Sequence, residues 1–232
     1  MFFQDRIKNI KPTDKVLEIG PGADPHPRSN VLLEKKFANE AEYASQFGNS
    51  QKLVTDKPVV FYEGDVFPFA DKEFDYVICS HVLEHVENVE QFLSEVFRVA
   101  HKGYFEYPLA YYEYLYNFDV HINYLKYDND CLKYMKKRNS GLNEFRPIQD
   151  FFYQSLQKGY DQLIRDLIHL FMEGFEWDKP FRIKEVKELK DICYTNLSIP
   201  VLTVESPASP TFFQIFKLFV RKIIGSAKTT IL

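Results

Sequence analysis

The chain has little of several features that would define a class of protein. Its three cysteines, Cys79, Cys131 and Cys193, are far apart and form no C-x-x-C pair, which argues against a disulfide framework and a zinc knuckle. No run approaches the ~20 apolar residues of a membrane-spanning helix. Residues 1–6 are too short and too quickly charged for a secretory signal. We therefore predict a cytoplasmic protein.

The chain also lacks an excess of positive charge, because its 29 Lys and Arg are outnumbered by 33 Asp and Glu and the formal net charge is −4. Nucleic-acid binders usually show a basic footprint, so we expect no nucleic-acid partner and favour a small or sugar-like substrate. The hydrophobic content of 45% is enough for a sizeable core. We predict two parts: an α/β cofactor-binding domain at 1–140, and a mainly helical extension on the acceptor side at 141–232 that is also a candidate to return strands to the sheet.

Residues 16–24 combine a short apolar run with a glycine-bearing turn. They predict a buried strand followed by a tight loop, in which Gly20 and Gly22 let the backbone approach a ligand. The dinucleotide fingerprint G-x-G-x-x-G is incomplete, because Pro25 occupies its third glycine position. Glu18, two residues before Gly20, strengthens the prediction of a nucleoside-binding loop.

Four motifs follow in order over roughly the first 110 residues. They are the segment around Glu18 and Gly20, the strand at 31–34 that ends in Glu34, the pair Gly64 and Asp65, and residues 74–86 with their S-x-V-L-E-H signature. In these motifs the chain resembles the class I S-adenosylmethionine-dependent methyltransferases. The resemblance implies a doubly wound, mostly parallel α/β sheet with S-adenosylmethionine as the cofactor.

The resemblance also implies which residues hold the cofactor. Glu34 is expected to accept hydrogen bonds from the ribose hydroxyls and Asp65 to lie beside the adenine. Glu18 either meets the cofactor through water or fixes the glycine loop. The full set of expected cofactor contacts is Glu18, Gly20, Gly22, Glu34, Asp65, Val66, Ser80 and His81.

The predicted order of strands and helices puts these residues at one edge of the sheet. Strands at 59–62, 74–79 and 104–107 alternate with a helix that Asn88 caps and Gly103 ends. Alternation of this kind predicts right-handed crossovers and a parallel sheet, which binds ligands beyond the carboxyl ends of its strands. Glu106 falls at the same edge.

The rest of the chain is less regular. Residues 2–10 are expected to form a short helix, 122–127 and 131–135 a β-hairpin, and 148–173 helices. The segment at 181–204 is expected to return as one or two strands. Whether the hairpin supplies the last strands of the sheet or an inserted flap stays open.

Three histidines are candidates for the chemistry. His81 follows the fourth strand, and an imidazole suits proton abstraction near neutral pH; the alternative is that it only shapes the cavity. His121 is a second candidate base or substrate contact, or else an exposed loop residue. His85 shares its signature with Glu84, and we interpret both as orienting the loop, with His85 as a candidate substrate contact.

Tyrosines are concentrated at 107–116, where Tyr107, Tyr111 and Tyr112 are predicted to line an acceptor pocket, although core packing is the simpler explanation. We predict no metal site, because no local pair has the tight spacing of a ligand set such as H-E-x-x-H. Residues 211–224 are either an amphipathic helix that contacts a membrane surface or a subunit, or a helix packed on its own domain.

The predicted activity is methyl transfer to an oxygen of a small or saccharide-like acceptor, such as a surface glycan or its precursor. The preference for oxygen rests on a histidine base and on the absence of the N-P-P-Y signature of N-methyltransferases. Two alternatives stay open, a methyltransferase of lipid or quinone biosynthesis and a non-catalytic nucleoside-binding module. The negative charge disfavours a protein or nucleic-acid acceptor.

Overall fold

The computed structural model describes residues 1–36 and 53–194, all within one compact unit, Met1–Leu197. Its strands are β1 (Val16–Ile19), β2 (Val31–Lys35), β3 (Val59–Tyr62), β4 (Phe74–Ser80), β5 (Ala100–Pro108), β6 (Asn123–Tyr127), β7 (Cys131–Lys136), β8 (Met172–Trp177) and β9 (Arg182–Glu185). Its α-helices are α1 (Val89–Val99), α2 (Ala110–Tyr116), α3 (Arg146–Gln157), α4 (Gln162–Asp166), α5 (Ile168–Phe171) and α6 (Leu189–Ile192). Short 3-10 helices lie at Gln4–Arg6, Leu83–His85, Lys137–Asn139 and Leu142–Phe145.

The main sheet has the strand order β3-β2-β1-β4-β5-β8. The first five strands are parallel, and β8 pairs antiparallel with β5. Strand order reverses between β1 and β4, so the carboxyl ends of these two strands flank the crevice where such sheets bind ligands. The predicted fold class, a mostly parallel doubly wound α/β sheet, is confirmed.

The core of this sheet explains its strand pattern. All four residues of β1 and five of the seven in β4 are buried, because strands covered on both faces need apolar side chains on both. Helix α1 covers one face with a stripe of buried residues, Val89, Phe92, Leu93, Val96 and Val99. Its predicted cap is present: the Gln91 N–H donates to Asn88 Oδ1 at 3.1 Å.

The predicted end of that helix at Gly103 is wrong. Helix α1 ends at Val99, and Gly103 lies inside β5. A Cβ at Gly103 would lie 2.4 Å from the Val77 carbonyl oxygen and 2.9 Å from Trp177 Nε1. The glycine is therefore required by close packing between neighbouring strands and not by a helix cap.

Gly103→Ala should lower the free energy of unfolding by about 2 kcal/mol, because the nearest atom is backbone and the strand must shift to admit a methyl group. Urea denaturation would measure the loss. His101→Ala on the same strand, at an exposed position, is the control and should change stability by less than about 0.5 kcal/mol. Equal stability of Gly103→Ala and the parent protein would contradict the packing explanation.

Beyond Pro108 the chain builds a second sheet with the order β6-β7-β9. The predicted hairpin is present, since β6 and β7 pair antiparallel. Strand β9, which pairs parallel with β7, falls in the segment expected to return as strand. The hairpin is therefore separate from the main sheet, and β8 supplies the last strand that the described residues add to it.

The remaining predictions differ in detail. Residues 146–171 are helical in three pieces, but the expected helix at 148–173 gives way to β8 at Met172. Within 2–10 the structure has only the 3-10 turn Gln4–Arg6. The division at residue 140 stays a prediction, and the docking segment 211–224 lies outside the described residues. Within the described part of the chain, no helix has the length and apolar character needed to cross a membrane.

Candidate functional site

A cavity of about 490 Å³ opens at the carboxyl edge of the main sheet. Such a volume is within the ~300–1,000 Å³ of small-molecule sites. Its walls come from the ends of β1, β2, β3 and β4, the turn that follows β4, and the start of α1. The predicted site residues that line it are Gly20, Gly22, Glu34, Asp65, Ser80, His81 and His85.

The glycine loop forms one wall in the conformation that its sequence predicts. Gly20 and Gly22 have φ angles of +62° and +61°, which L side chains rarely adopt. The Gly20 N–H donates to the Leu33 carbonyl at 2.9 Å and so joins the loop to β2. A Cβ on Gly20 would come within 2.6 Å of Val82 Cγ2, so this position has no room for a larger residue.

Glu18 lies behind the loop and is 4% exposed. Its Oε2 accepts hydrogen bonds from the His26 N–H at 2.8 Å and from the Ser29 hydroxyl at 2.6 Å. Burial raises the pKa of Glu18, and these two hydrogen bonds oppose the rise. Glu18 does not line the cavity, and its contacts are those of a residue that fixes the loop.

Two carboxylates lie farther along the edge. Glu34, at the end of β2, is 8% exposed and lines the cavity. Burial raises its pKa to about 7, although the Lys35 N–H donates to Oε1 at 3.0 Å. Asp65 lines the cavity after β3. Val66, the adjacent prediction, is 63% exposed and lies outside the lining.

His81 lies between two carboxylates on the opposite side. It adopts a left-handed backbone with φ of 57°, which places Nδ1 3.2 Å from Glu84 Oε1 and Nε2 3.1 Å from Glu106 Oε1. Burial alone lowers the pKa of His81, but these two carboxylates raise it to about 9. At neutral pH the ring is therefore protonated, with both N–H groups donating, and it is not poised to accept a proton.

Glu106 joins this side of the cavity to the start of the chain, a link that sequence analysis missed. It is 1% exposed and accepts the Phe2 and Phe3 backbone N–H groups at 2.7 and 2.9 Å. Met1 consequently lines the cavity. Burial raises the pKa of Glu106, but His81 and the two amides lower it to about 2. Partners that are 104 residues apart leave no local pattern, so no sequence signal could have shown this contact.

Glu106→Gln should lower the free energy of unfolding by about 2 kcal/mol. Both carboxylate oxygens accept hydrogen bonds here, also from the Ser80 and Tyr104 hydroxyls at 3.1 and 2.8 Å. An amide in either orientation points its NH₂ at donors and leaves them unpaired. Thermal or urea unfolding would measure the change, with the exposed Glu188→Gln as control. A stability equal to that of the control would contradict the role assigned to Glu106.

The other histidines lie next to each other. His85 ends the 3-10 turn Leu83–His85 and lines the cavity. His121 lies behind it, with the two rings edge to face and 4.8 Å between centroids. The His121 side chain is 11% exposed, so it is not the exposed loop residue that one interpretation expected, and it does not line the cavity.

The three predicted acceptor tyrosines lie away from the cavity lining. Tyr107 is fully buried, and its hydroxyl donates to Glu173 Oε2 at 2.6 Å. The Tyr111 hydroxyl donates to the Tyr194 carbonyl at 2.9 Å. Tyr112 stacks on Phe118 with centroids 5.1 Å apart. These are packing contacts, and the role of the tyrosines in acceptor binding stays a prediction.

Part of the chain matches a protein-family model. Residues 34–105 match the family model described as "Methyltransferase domain", a range that runs from Glu34 at the end of β2 into β5. No functionally curated protein matches significantly. The match supports a methyltransferase domain within this range, and the strand order is that of a doubly wound α/β sheet. At this level the predicted methyltransferase activity and its cofactor are confirmed, and the motif details of the class stay predictions.

Several solved structures are similar to parts of this chain. A protein from Bacillus subtilis is 20% identical over 41% of this chain and 44% of its own, with a TM-score of 0.31. A putative methyltransferase from Bacillus halodurans is 19% identical over 48% and 55%, with a TM-score of 0.34. A SAM-dependent methyltransferase from Methanosarcina mazei is 19% identical over 52% and 69%, with a TM-score of 0.32. The chain thus spans about half the length of the first two, and the likeness says nothing of an acceptor.

Proposed function

We propose that the protein transfers a methyl group from S-adenosylmethionine to an oxygen of a small, saccharide-like acceptor, because residues 34–105 match a methyltransferase domain. The observation that carries the proposal is the cavity at the carboxyl edge of the sheet, lined by the glycine loop, Glu34, Asp65 and Ser80. The reaction is proposed to take place in the cytoplasm, as the sequence predicts.

The donor would lie along this edge, with each part of it near a matching group. Glu34 accepts hydrogen bonds from the ribose hydroxyls, and Asp65 lies beside the adenine. The positive φ angles of Gly20 and Gly22 let main-chain N–H groups approach the nucleoside. The buried position of Glu34 makes these charge-assisted hydrogen bonds stronger than they would be in water.

Chemistry in such a site depends chiefly on position. In the proposed step the oxygen of an acceptor hydroxyl would attack the methyl carbon in line, its proton would pass to solvent, and cleavage of the C–S bond would leave the donor sulfur as a neutral thioether. A cavity that holds both reactants close and excludes water favours this step. His81 is not proposed as the base, because both of its ring nitrogens donate to carboxylates and its pKa is about 9.

The proposed acceptor class rests on size and charge. A volume of about 490 Å³ accommodates a nucleoside donor with room for a small partner. The net charge of −4 disfavours a polyanion such as nucleic acid. Among neutral small molecules, a sugar hydroxyl on a surface glycan or its precursor agrees with both features and with the absence of an N-P-P-Y signature.

Calorimetric titration with S-adenosylmethionine, followed by detection of S-adenosylhomocysteine in the presence of acceptor panels, tests the proposal. We expect donor binding, and product formation with saccharides or sugar precursors. Product formation only with lipid extracts would instead favour lipid or quinone biosynthesis. Binding without product formation on any panel would favour a nucleoside-binding module, and no binding at millimolar donor would overturn the proposal.

A further inference from the structure

Three side chains that commonly bind metals meet beside the cavity. Glu84 and His85 come from the turn after β4, and His121 from the loop before β6. One ligand atom from each lies within 4.8 Å of the other two. His85 also lines the cavity, which gives an ion a path to the cluster.

Glu84 supplies independent support for a ligand at this point. The residue is fully buried, and its Oε1 is 3.2 Å from His81 Nδ1. Its Oε2 is buried with no hydrogen-bond partner among the described residues. An unpaired carboxylate oxygen in a protein interior is costly, and a bound cation would remove that cost.

Hydrogen bonds fix both imidazoles in the form that binds a metal. His85 Nδ1 is 2.9 Å from the Val120 carbonyl oxygen. Since a carbonyl only accepts, Nδ1 must carry the proton, and the lone pair of the neutral ring lies on Nε2. His121 Nδ1 is 2.5 Å from Glu113 Oε1, which fixes the same tautomer. Outer partners of this kind, a backbone carbonyl and a carboxylate, usually orient metal-binding histidines.

The turn that carries Glu84 and His85 is itself held in place. The side-chain amide of Asn123 donates to the Leu83 and Val86 carbonyls at 3.0 and 2.6 Å. The Ile122 N–H donates to the Glu84 carbonyl at 2.7 Å. These bonds tie the turn to the strand that follows His121, so the three side chains are positioned as one unit.

We propose that Glu84, His85 and His121 bind a divalent first-row transition-metal ion, with Zn²⁺ as the reference ion. Two imidazoles and one carboxylate are a ligand set that leaves coordination positions open for water or a substrate. Metal–ligand bonds of about 2.1 Å place neighbouring ligand atoms roughly 3.3 Å apart, so the side chains close slightly around the ion. The sequence predicted no metal because no local pair has the tight spacing of a ligand set, and His121 is 36 residues after His85.

The residues His81-x-x-Glu84-His85 do not form a helical zinc motif in this structure. In a helical zinc motif of the form H-x-x-E-H the two histidines share a helix face. Here His81 precedes the 3-10 turn, and its Nε2 is directed to Glu106 Oε1. The histidine that joins His85 is His121.

If the proposed methyl transfer is correct, the ion also has a chemical use there. A hydroxyl bound to a divalent cation loses its proton more easily. The proton leaves to solvent, the oxygen forms the new C–O bond, and the C–S bond of the donor breaks.

The test measures Zn²⁺ binding to the full chain, stripped of metal and without S-adenosylmethionine. We expect one ion per chain by calorimetry and by elemental analysis after dialysis. His85→Ala and His121→Ala should each weaken binding at least about 100-fold. Glu113→Gln, which changes the partner of His121 and also removes the charge that pairs with Lys137, should weaken it about 10-fold. His101→Ala, an exposed histidine on β5, is the matched control and should bind as the parent does.

Co²⁺ absorption spectra and circular dichroism separate metal loss from misfolding. A parent spectrum with ligand-field bands that His121→Ala loses while staying folded supports the site. The proposal is overturned if the parent does not bind, or if His121→Ala binds as tightly as His101→Ala. Donor titration is scored separately, so failure of the metal site and failure of the proposed function are distinguishable. If the metal-free protein methylates at an unchanged rate, the ion has no role in catalysis.

Discussion

Gly20→Ala should lower the free energy of unfolding by about 3 kcal/mol and remove measurable S-adenosylmethionine binding. A left-handed backbone costs a residue with a Cβ about 1 to 2 kcal/mol. The new methyl group would also lie 2.6 Å from Val82 Cγ2, and overpacking typically costs another 1 to 3 kcal/mol. Val82 is β-branched and has little rotamer freedom with which to move away.

Gly22→Ala is the matched control for this prediction. Gly22 has a φ of +61° but nothing within 4 Å of an added Cβ, so it carries the backbone strain alone and should lose only about 1 to 2 kcal/mol. Urea denaturation of both variants measures the difference. Val82→Ala introduced into the Gly20→Ala background should restore part of the lost stability. If both glycine variants lose the same amount, contact with Val82 is not what excludes a side chain at Gly20.

Glu34→Ala should weaken S-adenosylmethionine binding about 100-fold at pH 8, equivalent to about 3 kcal/mol. The loss corresponds to two charge-assisted hydrogen bonds to the ribose hydroxyls, each worth about 1.5 kcal/mol or more. Isothermal titration calorimetry measures it. Glu63→Ala removes an equal charge directly after β3, where Glu63 is exposed and outside the cavity lining. Equal losses in the two variants would show a general field effect and not a contact with the ribose.

The same residue predicts how donor affinity depends on pH. The pKa of Glu34 is about 7, and the ribose hydroxyls are proposed to bind the carboxylate form. Affinity should therefore fall as pH drops below 7, approaching a tenfold loss per pH unit, and should be constant above about pH 8. Glu34→Gln should remove this dependence. A parent affinity that does not change between pH 6 and 8 would contradict the assignment.

The stability of the donor-free protein should fall as pH rises, whereas donor affinity rises. The folded pKa of Glu34 lies above its ordinary value of 4.5, so the folded state binds more protons than the unfolded state between these two values. The contribution of Glu34 to stability is present below pH 4.5 and is lost as pH rises to about 7. Glu34→Gln should accordingly stabilise the donor-free protein at pH 8, by up to about 3 kcal/mol.

The sequence was sufficient where one local pattern decides a structure. Continuous apolar runs predicted β1 and β4, because parallel strands are covered on both faces. The cap at Asn88 and the apolar stripe that follows it predicted α1. Since the order of these elements decides which strand ends share an edge, the cavity-lining positions of Gly20 and Glu34 followed from the sequence as well.

The sequence was insufficient where distant residues determine the environment. Gly103 follows a helix and resembles a helix end, but the Val77 carbonyl and Trp177 decide its position. From its position in the sequence, His81 resembles a general base. In the structure its two ring nitrogens contact the carboxylates of Glu84 and Glu106. Residues 110–116 form a helix, and Tyr107, Tyr111 and Tyr112 lie outside the cavity lining, which the concentration of tyrosines in the sequence did not show.

Glu106 fixes the first residues of the chain by hydrogen bonds, and this affects how a tagged form of the protein behaves. The Phe2 and Phe3 amides are bound to a buried carboxylate, and Met1 is part of the cavity wall. A purification tag fused ahead of Met1 would therefore emerge beside the cavity that is proposed to hold the donor. It would compete for the same space and lower the apparent affinity, so binding constants are best measured after its removal.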